Sequence, residues 1–134
     1  AFKNTNKMIH KISGFTALLG LLTVVLGALG AHSLKEKLSP EALQSFETAV
    51  RYMMYHVLAI LMIINSGMLN PKSKLLIFSL FIMGILFFSG SIFVISLDIV
   101  QASQIWFITP IGGLFFILGW LISAYSFFKS TVRN

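Results

Sequence analysis

The chain has 134 residues, of which 57% are hydrophobic and only 10% charged, with a mean hydropathy of +0.89 and a formal net charge of +6. It has no cysteine, which excludes a disulfide framework, a Cys-ligated zinc and thiol catalysis. Charge is absent from residues 12–31, 52–71, 75–97 and 99–128, and each run reaches the roughly 20 apolar residues that a helix needs to cross a bilayer.

A soluble domain this small cannot bury four helices that are apolar on every face. The expected fold is therefore all-α: an integral membrane four-helix bundle, up-down-up-down, forming a single transmembrane domain over residues 1–134. The expected spans are about 10–31, 51–69, 75–97 and 104–128. In this setting the basic residues flank spans, so they read as topology signals and anionic-lipid contacts rather than a nucleic-acid surface.

The first span opens like a secretory signal, with Lys3, Lys7 and Lys11 before an apolar stretch and Ala28-Leu29-Gly30 as a small-residue site. The stretch is long for such a signal and three more spans follow, so it reads as a retained helix. Gly20, Gly27, Gly30 and Ala31 line it, and Gly27-x-x-x-Ala31 is a small-residue pair suited to close helix packing.

Ser39-Pro40-Glu41 then reads as a helix start: a capping hydroxyl, a residue without an N–H, and a carboxylate at the positive dipole end. Leu43, Phe46 and Val50 fall on one face, which makes an amphipathic interfacial segment leading into helix two. A continuous helix over 40–67 would be roughly 42 Å long, more than the ~30 Å hydrocarbon core, so it must tilt, bend or project.

Asn70-Pro71 with Lys72 and Lys74 makes a short turn. Phe88-Ser89-Gly90-Ser91 interrupts helix three near mid-membrane, where serines bond the preceding turn or reach another helix. Asp98 to Gln104 makes a second short turn. Thr109-Pro110-Ile111-Gly112-Gly113 interrupts helix four, with a kink expected at Pro110. Irregular backbone at membrane depth must be buried or line a cavity, so the two interrupted segments should meet. Gly119-x-x-x-Ser123 offers another small-residue pair. Trp106 suits an interface anchor, and Trp120 lies deeper.

Lys3, Lys7, Lys11, Lys72, Lys74, Lys129 and Arg133 share one side of such a bundle, against Lys35, Lys37 and Arg51 on the other. The positive-inside rule makes the first side cytoplasmic, so both termini are expected inside a bacterial cytoplasmic membrane.

Glu47 and Arg51 stand i, i+4 in the favourable order, as do Tyr52 and His56. Tyr55 follows Arg51 by one turn, and His32 closes helix one on the same side. His32, Glu47, Arg51, Tyr52, Tyr55 and His56 are therefore expected to converge, with Glu47 paired to Arg51. Ionisable residues inside a membrane face the bundle interior. The cluster reads as a hydrogen-bonded register device, as a lipid or small-molecule site, or as a catalytic group. No ligand spacing around the histidines supports haem or metal, so no cofactor and no metal are expected. His10 reads as an interface residue.

Gly27-Ala28-Leu29-Gly30-Ala31-His32, Phe46-Glu47-Thr48-Ala49-Val50-Arg51-Tyr52 with Tyr55-His56, Phe88-Ser89-Gly90-Ser91 and Thr109-Pro110-Ile111-Gly112-Gly113 together resemble a known family. It is the family of small bacterial inner-membrane proteins of the YgdD and YwdK type, with relatives in animals, catalogued as a domain of unknown function. The resemblance covers nearly the whole chain. It implies a multi-pass, usually four-helix membrane protein and supplies no catalytic residue. The family motif after the helix-three glycine often continues to Tyr, where this chain has Phe93.

The expected function is non-enzymatic: a structural or accessory membrane protein that binds membrane lipids or a membrane-protein partner, or forms a homo-oligomer. A small-solute or ion carrier using the His/Glu/Arg/Tyr cluster is the alternative, and a membrane enzyme acting on lipid is third.

Overall fold

The computed structural model describes residues 1–132. Its helices are α1 (Phe2–Ala31), α2 (Pro40–Asn65), α3 (Pro71–Gly84), a π-helical segment (Ile85–Ser89), α4 (Gly90–Ser96), the short α5 (Ala102–Ile105) and α6 (Ile108–Val132). Four helices among the described residues are long and apolar enough to cross a membrane: Phe2–Ala31, Pro40–Asn65, Pro71–Ser96 and Ile108–Ser130. The third combines α3, the π segment and α4. The architecture is an all-α, four-helix bundle. Arg133, counted above with the cytoplasmic charges, lies outside the described residues.

Helices span bilayers because each satisfies its own backbone groups within the segment. The starts of α2 and α3 follow local chemistry. Ser39 Oγ accepts from the Ala42 N–H at 3.2 Å, Asn70 Oδ1 accepts from the Ser73 N–H at 2.8 Å, and proline opens both helices. α2 ends at Asn65, two residues short of the expected Gly67, because Ser66 turns into extended backbone. Its 26 residues still measure roughly 39 Å at 1.5 Å per residue, longer than the hydrocarbon core.

α1 packs mainly on α2, α2 on the third span, and the third span on α6. Burial follows that order. Only 11% of α1's most apolar window is buried, against 44% of α2's. The core lies where α2, the third span and α6 meet, around Met53, Val57, Ile60, Ile77, Phe81 and Phe116. α1 is the peripheral member. It touches the third span through Phe15 and Phe78, whose rings meet edge-on at 6.5 Å.

The α1–α2 seam is a stripe of small residues. Thr16, Thr23 and Gly30 are buried. Added Cβ atoms would come within 3.4 Å of Val57 at Gly20, 3.4 Å of Val50 at Gly27 and 3.1 Å of Phe46 at Gly30. The stripe departs from the expected Gly27–Ala31 pair: Ala31 is exposed, and Gly30 takes the seam position. The 16, 20, 23, 27, 30 spacing follows one helix face; residue 31 is rotated about 100° from residue 30.

The amphipathic start of α2 is present. Phe46 is fully buried and Leu43 and Val50 are half-buried, while Glu41, Gln44 and Glu47 are exposed. After α4 the chain reverses through Asp98, at φ 57°, a left-handed conformation that Asp tolerates.

The fourth span differs from expectation. α5 breaks at Trp106 and Phe107, and α6 starts at Ile108. Pro110 thus lies in the first turn of α6, where its missing N–H removes no intrahelical bond. It helps to start the helix and does not kink it.

Candidate functional site

The interrupted segments of the third and fourth spans meet. Ser91 Oγ and Thr109 Oγ1 are hydrogen-bonded across them, and Ser91 Oγ also donates to the Phe88 carbonyl at 3.0 Å. A Cβ at Gly112 would stand 2.2 Å from the Phe88 amide nitrogen, so α6 lies directly on the π-segment backbone. Gly84 against Phe116 and Gly119 against Phe81 repeat this closeness, at 2.3 and 2.4 Å. Gly90 meets only its own preceding turn, at 3.8 Å, and Gly113 makes ordinary contact with the Phe88 ring at 3.9 Å.

One extra residue per turn in the π segment re-aims side chains. Ser89, fully buried, donates to the Ala49 carbonyl of α2 at 2.8 Å. That bond couples the third span to α2 at the level of the bulge.

His56 is the central polar residue. It lies on the α2 face that also carries Met53, Ile60 and Ile63, and it is 3% exposed. Its Nδ1 lies 2.6 Å from the Tyr52 carbonyl, and its Nε2 lies 3.0 Å from Trp120 Nε1 on α6. A carbonyl only accepts and an indole N–H only donates. The imidazole is therefore neutral, with its proton on Nδ1 and its Nε2 lone pair receiving the indole N–H. Phe116 stacks on the ring at 3.6 Å and 10°, and Phe81 meets it edge-on at 5.0 Å. Tyr52, whose ring packs on Phe88 at 5.0 Å, borders this aromatic cage.

The expected convergence of six residues does not occur. Glu47 and Arg51 are exposed, and Arg51 Nη2 donates to Thr48 Oγ1 at 3.0 Å instead of pairing with Glu47. Helix geometry explains the separation. Nine residues at about 100° each place Glu47 on the face opposite His56, and Arg51 lies about 140° away. His32 is exposed in the α1–α2 link, Tyr55 is exposed on α2, and His10 is exposed on α1. Of the expected cluster, Tyr52 and His56 belong to one site, and Tyr55 reaches it through the Tyr52 ring alone, at 5.8 Å.

The residues that complete the site are Trp120, Phe116 and Phe81, which the sequence reading did not connect to His56. One signal was present: His56 falls in the core register of α2, three residues from Met53 and four from Ile60. A buried histidine there needs a polar partner from a facing helix, and Trp120 carries the N–H. Phe93 packs on Phe46 at 5.0 Å.

Comparison with known proteins places this chain in a family. A family model described as "Protein of unknown function (DUF423)" matches residues 26–113. A UPF0382 membrane protein of Haemophilus influenzae is 38% identical over 123 residues, covering 92% of this chain and 98% of that protein. The chain belongs to this family. A UPF0382 membrane protein of Staphylococcus saprophyticus is 44% identical over 114 residues, covering 84% and 92% of the two chains. The UPF0382 membrane protein YwdK of Bacillus subtilis is 37% identical over 108 residues, covering 79% and 86%. No solved structure matches the chain. This UPF0382-type protein is accordingly a multi-pass membrane protein of an uncharacterised family. The matched stretch takes in His56, Ser89 and the Ser91–Thr109 contact, and ends before Phe116 and Trp120.

Proposed function

We propose that the protein is a non-enzymatic accessory protein of the bacterial cytoplasmic membrane that binds lipid or a membrane-protein partner. Both termini are on the cytoplasmic side in this proposal. The supporting observation is that the deepest polar groups are turned on one another. Both nitrogens of His56 are engaged by Tyr52 and Trp120, Ser89 is spent on Ala49, and Ser91 on Thr109. A general base needs a lone pair within reach of a substrate proton, and the His56 lone pair receives the indole N–H. The exposed acid Glu47 stands on the opposite helix face. These groups act as registers that hold α2, the third span and α6 together.

Purification in native-lipid nanodiscs, followed by mass spectrometry of lipids and proteins that remain bound, tests this function. Enrichment of a defined lipid or membrane protein over bulk membrane supports it. Recovery of only the bulk lipid mixture and no stoichiometric partner would overturn it.

A further inference from the structure

A groove of about 470 Å³ runs between the N-terminal section of α2 and the end of α4, on the end of the bundle that carries the α1–α2 link. Glu41, Ser45 and Thr48 line it from α2, and Ile92, Ile95 and Ser96 from α4. Its size suits a small ligand or a headgroup. Ser96 is 7% exposed, and among the described residues its Oγ is the buried side-chain polar atom without a hydrogen-bond partner.

Other hydroxyls among the described residues are turned on their own helices. Thr16, Thr23, Thr48, Ser79 and Ser123 each donate to the carbonyl four residues earlier. Ser96 makes no such bond to its own helix. A buried hydroxyl is costly unless something satisfies it.

The groove also has an order of charge. Glu41, exposed in the first turn of α2, stands at its outermost end. Two turns further along α2, the lining residue Thr48 accepts from Arg51 Nη2 at 3.0 Å, so a guanidinium stands just outside the lining, one hydrogen bond from it. Ile92 and Ile95 provide an apolar wall. A molecule that fits carries a cation outermost, an anion next, and apolar substance beyond.

We propose that the groove binds the headgroup of an aminophospholipid, a primary ammonium joined to a phosphodiester. The ammonium meets the Glu41 carboxylate, and the phosphodiester lies toward Arg51. The groove hydroxyls, including Ser96 Oγ, hydrogen-bond to the headgroup, and the acyl chains follow the isoleucine wall. A primary ammonium is favoured over a quaternary one because only the former has N–H groups for these acceptors. The proposal rests on the lipid-binding reading above and names its site.

The test uses the full chain in nanodiscs with equal amounts of phosphatidylethanolamine, phosphatidylcholine and phosphatidylglycerol. Lipids retained after a detergent wash are counted by native mass spectrometry. The wild type should retain phosphatidylethanolamine about tenfold over phosphatidylcholine, the size of one charge-assisted hydrogen bond. Glu41→Gln and the groove-filling Ser45→Trp should abolish this preference, and Ser96→Ala should weaken it. Glu41 and Ser45 are exposed, so melting curves should confirm that those variants fold. Glu36→Gln, an exposed charge outside the groove, should keep the preference.

Equal retention of the lipids by the wild type, or a preference that survives both Glu41→Gln and Ser45→Trp, would overturn the assignment. Saturable competition by soluble glycerophosphoethanolamine at the same concentration as lipid would overturn the lipid source in favour of a free zwitterion. If a membrane-protein partner still co-purifies while lipid preference is absent, the groove assignment fails and the accessory role stands. If neither is found, both fail.

Discussion

Removing the indole N–H from the His56 site measures what holds the core in register. Trp120→Phe deletes the donor and keeps an aromatic ring. Two costs compete. Trp120 is 46% exposed, so the lost ring area comes largely from a lipid-facing side chain and contributes little. The lost hydrogen bond leaves the His56 Nε2 lone pair unsatisfied beside Phe116 and Phe81, where water does not reach it. A buried orphan acceptor costs about 1–3 kcal/mol in soluble proteins. Interhelical hydrogen bonds in membranes average only about 0.6 kcal/mol, with a maximum near 1.7, because the unfolded chain in the membrane also finds partners. The polar cost therefore dominates, and Trp120→Phe should lose about 1 kcal/mol. His56→Phe retains a ring for the Phe116 stack while removing both nitrogens. The double variant should lose less than the sum of the two single losses by about 0.6–1.7 kcal/mol. Reversible unfolding in mixed micelles, run on all four proteins, gives the coupling. A coupling within error of zero would refute the claim that the His56–Trp120 bond ties α2 to α6.

Three further expectations concern glycine packing, two exposed charges and orientation. Gly112→Ala should destabilise by at least about 1–3 kcal/mol, because its Cβ falls 2.2 Å from the Phe88 backbone, which cannot step aside. Gly14→Ala, with nothing within 4 Å, should instead stabilise by about 0.5–1 kcal/mol, and thermal melts of both compared with wild type check the contrast. Glu47→Ala and Arg51→Ala should be additive within about 0.5 kcal/mol, because the two side chains are not paired; a measured coupling above that in a double-mutant cycle would contradict the Arg51–Thr48 geometry. For the proposed orientation, cysteine at Ser39 should react with an impermeant thiol reagent on intact cells and cysteine at Ser73 should not, and the reverse pattern would invert the topology.

Sequence alone dictates the solvent, the fold class and the starts of α2 and α3. Charge-free runs long enough to span a bilayer leave few alternatives to helices, because lipid offers backbone groups no partner. Ser39-Pro40 and Asn70-Pro71 carry their capping chemistry locally, so those starts were legible without tertiary contacts. The meeting of the two interrupted segments was also legible, though not the Ser91–Thr109 bond that joins them, since irregular backbone at depth has to be covered by a neighbour. Glu47 and Arg51 show what was not. Their i, i+4 spacing is a local allowance, and it says nothing about whether the side chains prefer each other or Thr48. Tertiary packing decided which rotation of α2 faces inward, and this sends His56 to Trp120 and leaves Glu47 outside. It also decided the π segment and the start of α6 at Ile108, two residues before Pro110. The close approach of Gly112 to Phe88 constrains both backbones together, and neither run of sequence contains the other. Hydropathy marks that a helix crosses the membrane, while its rotation and its partners depend on side chains from distant helices competing for the same space.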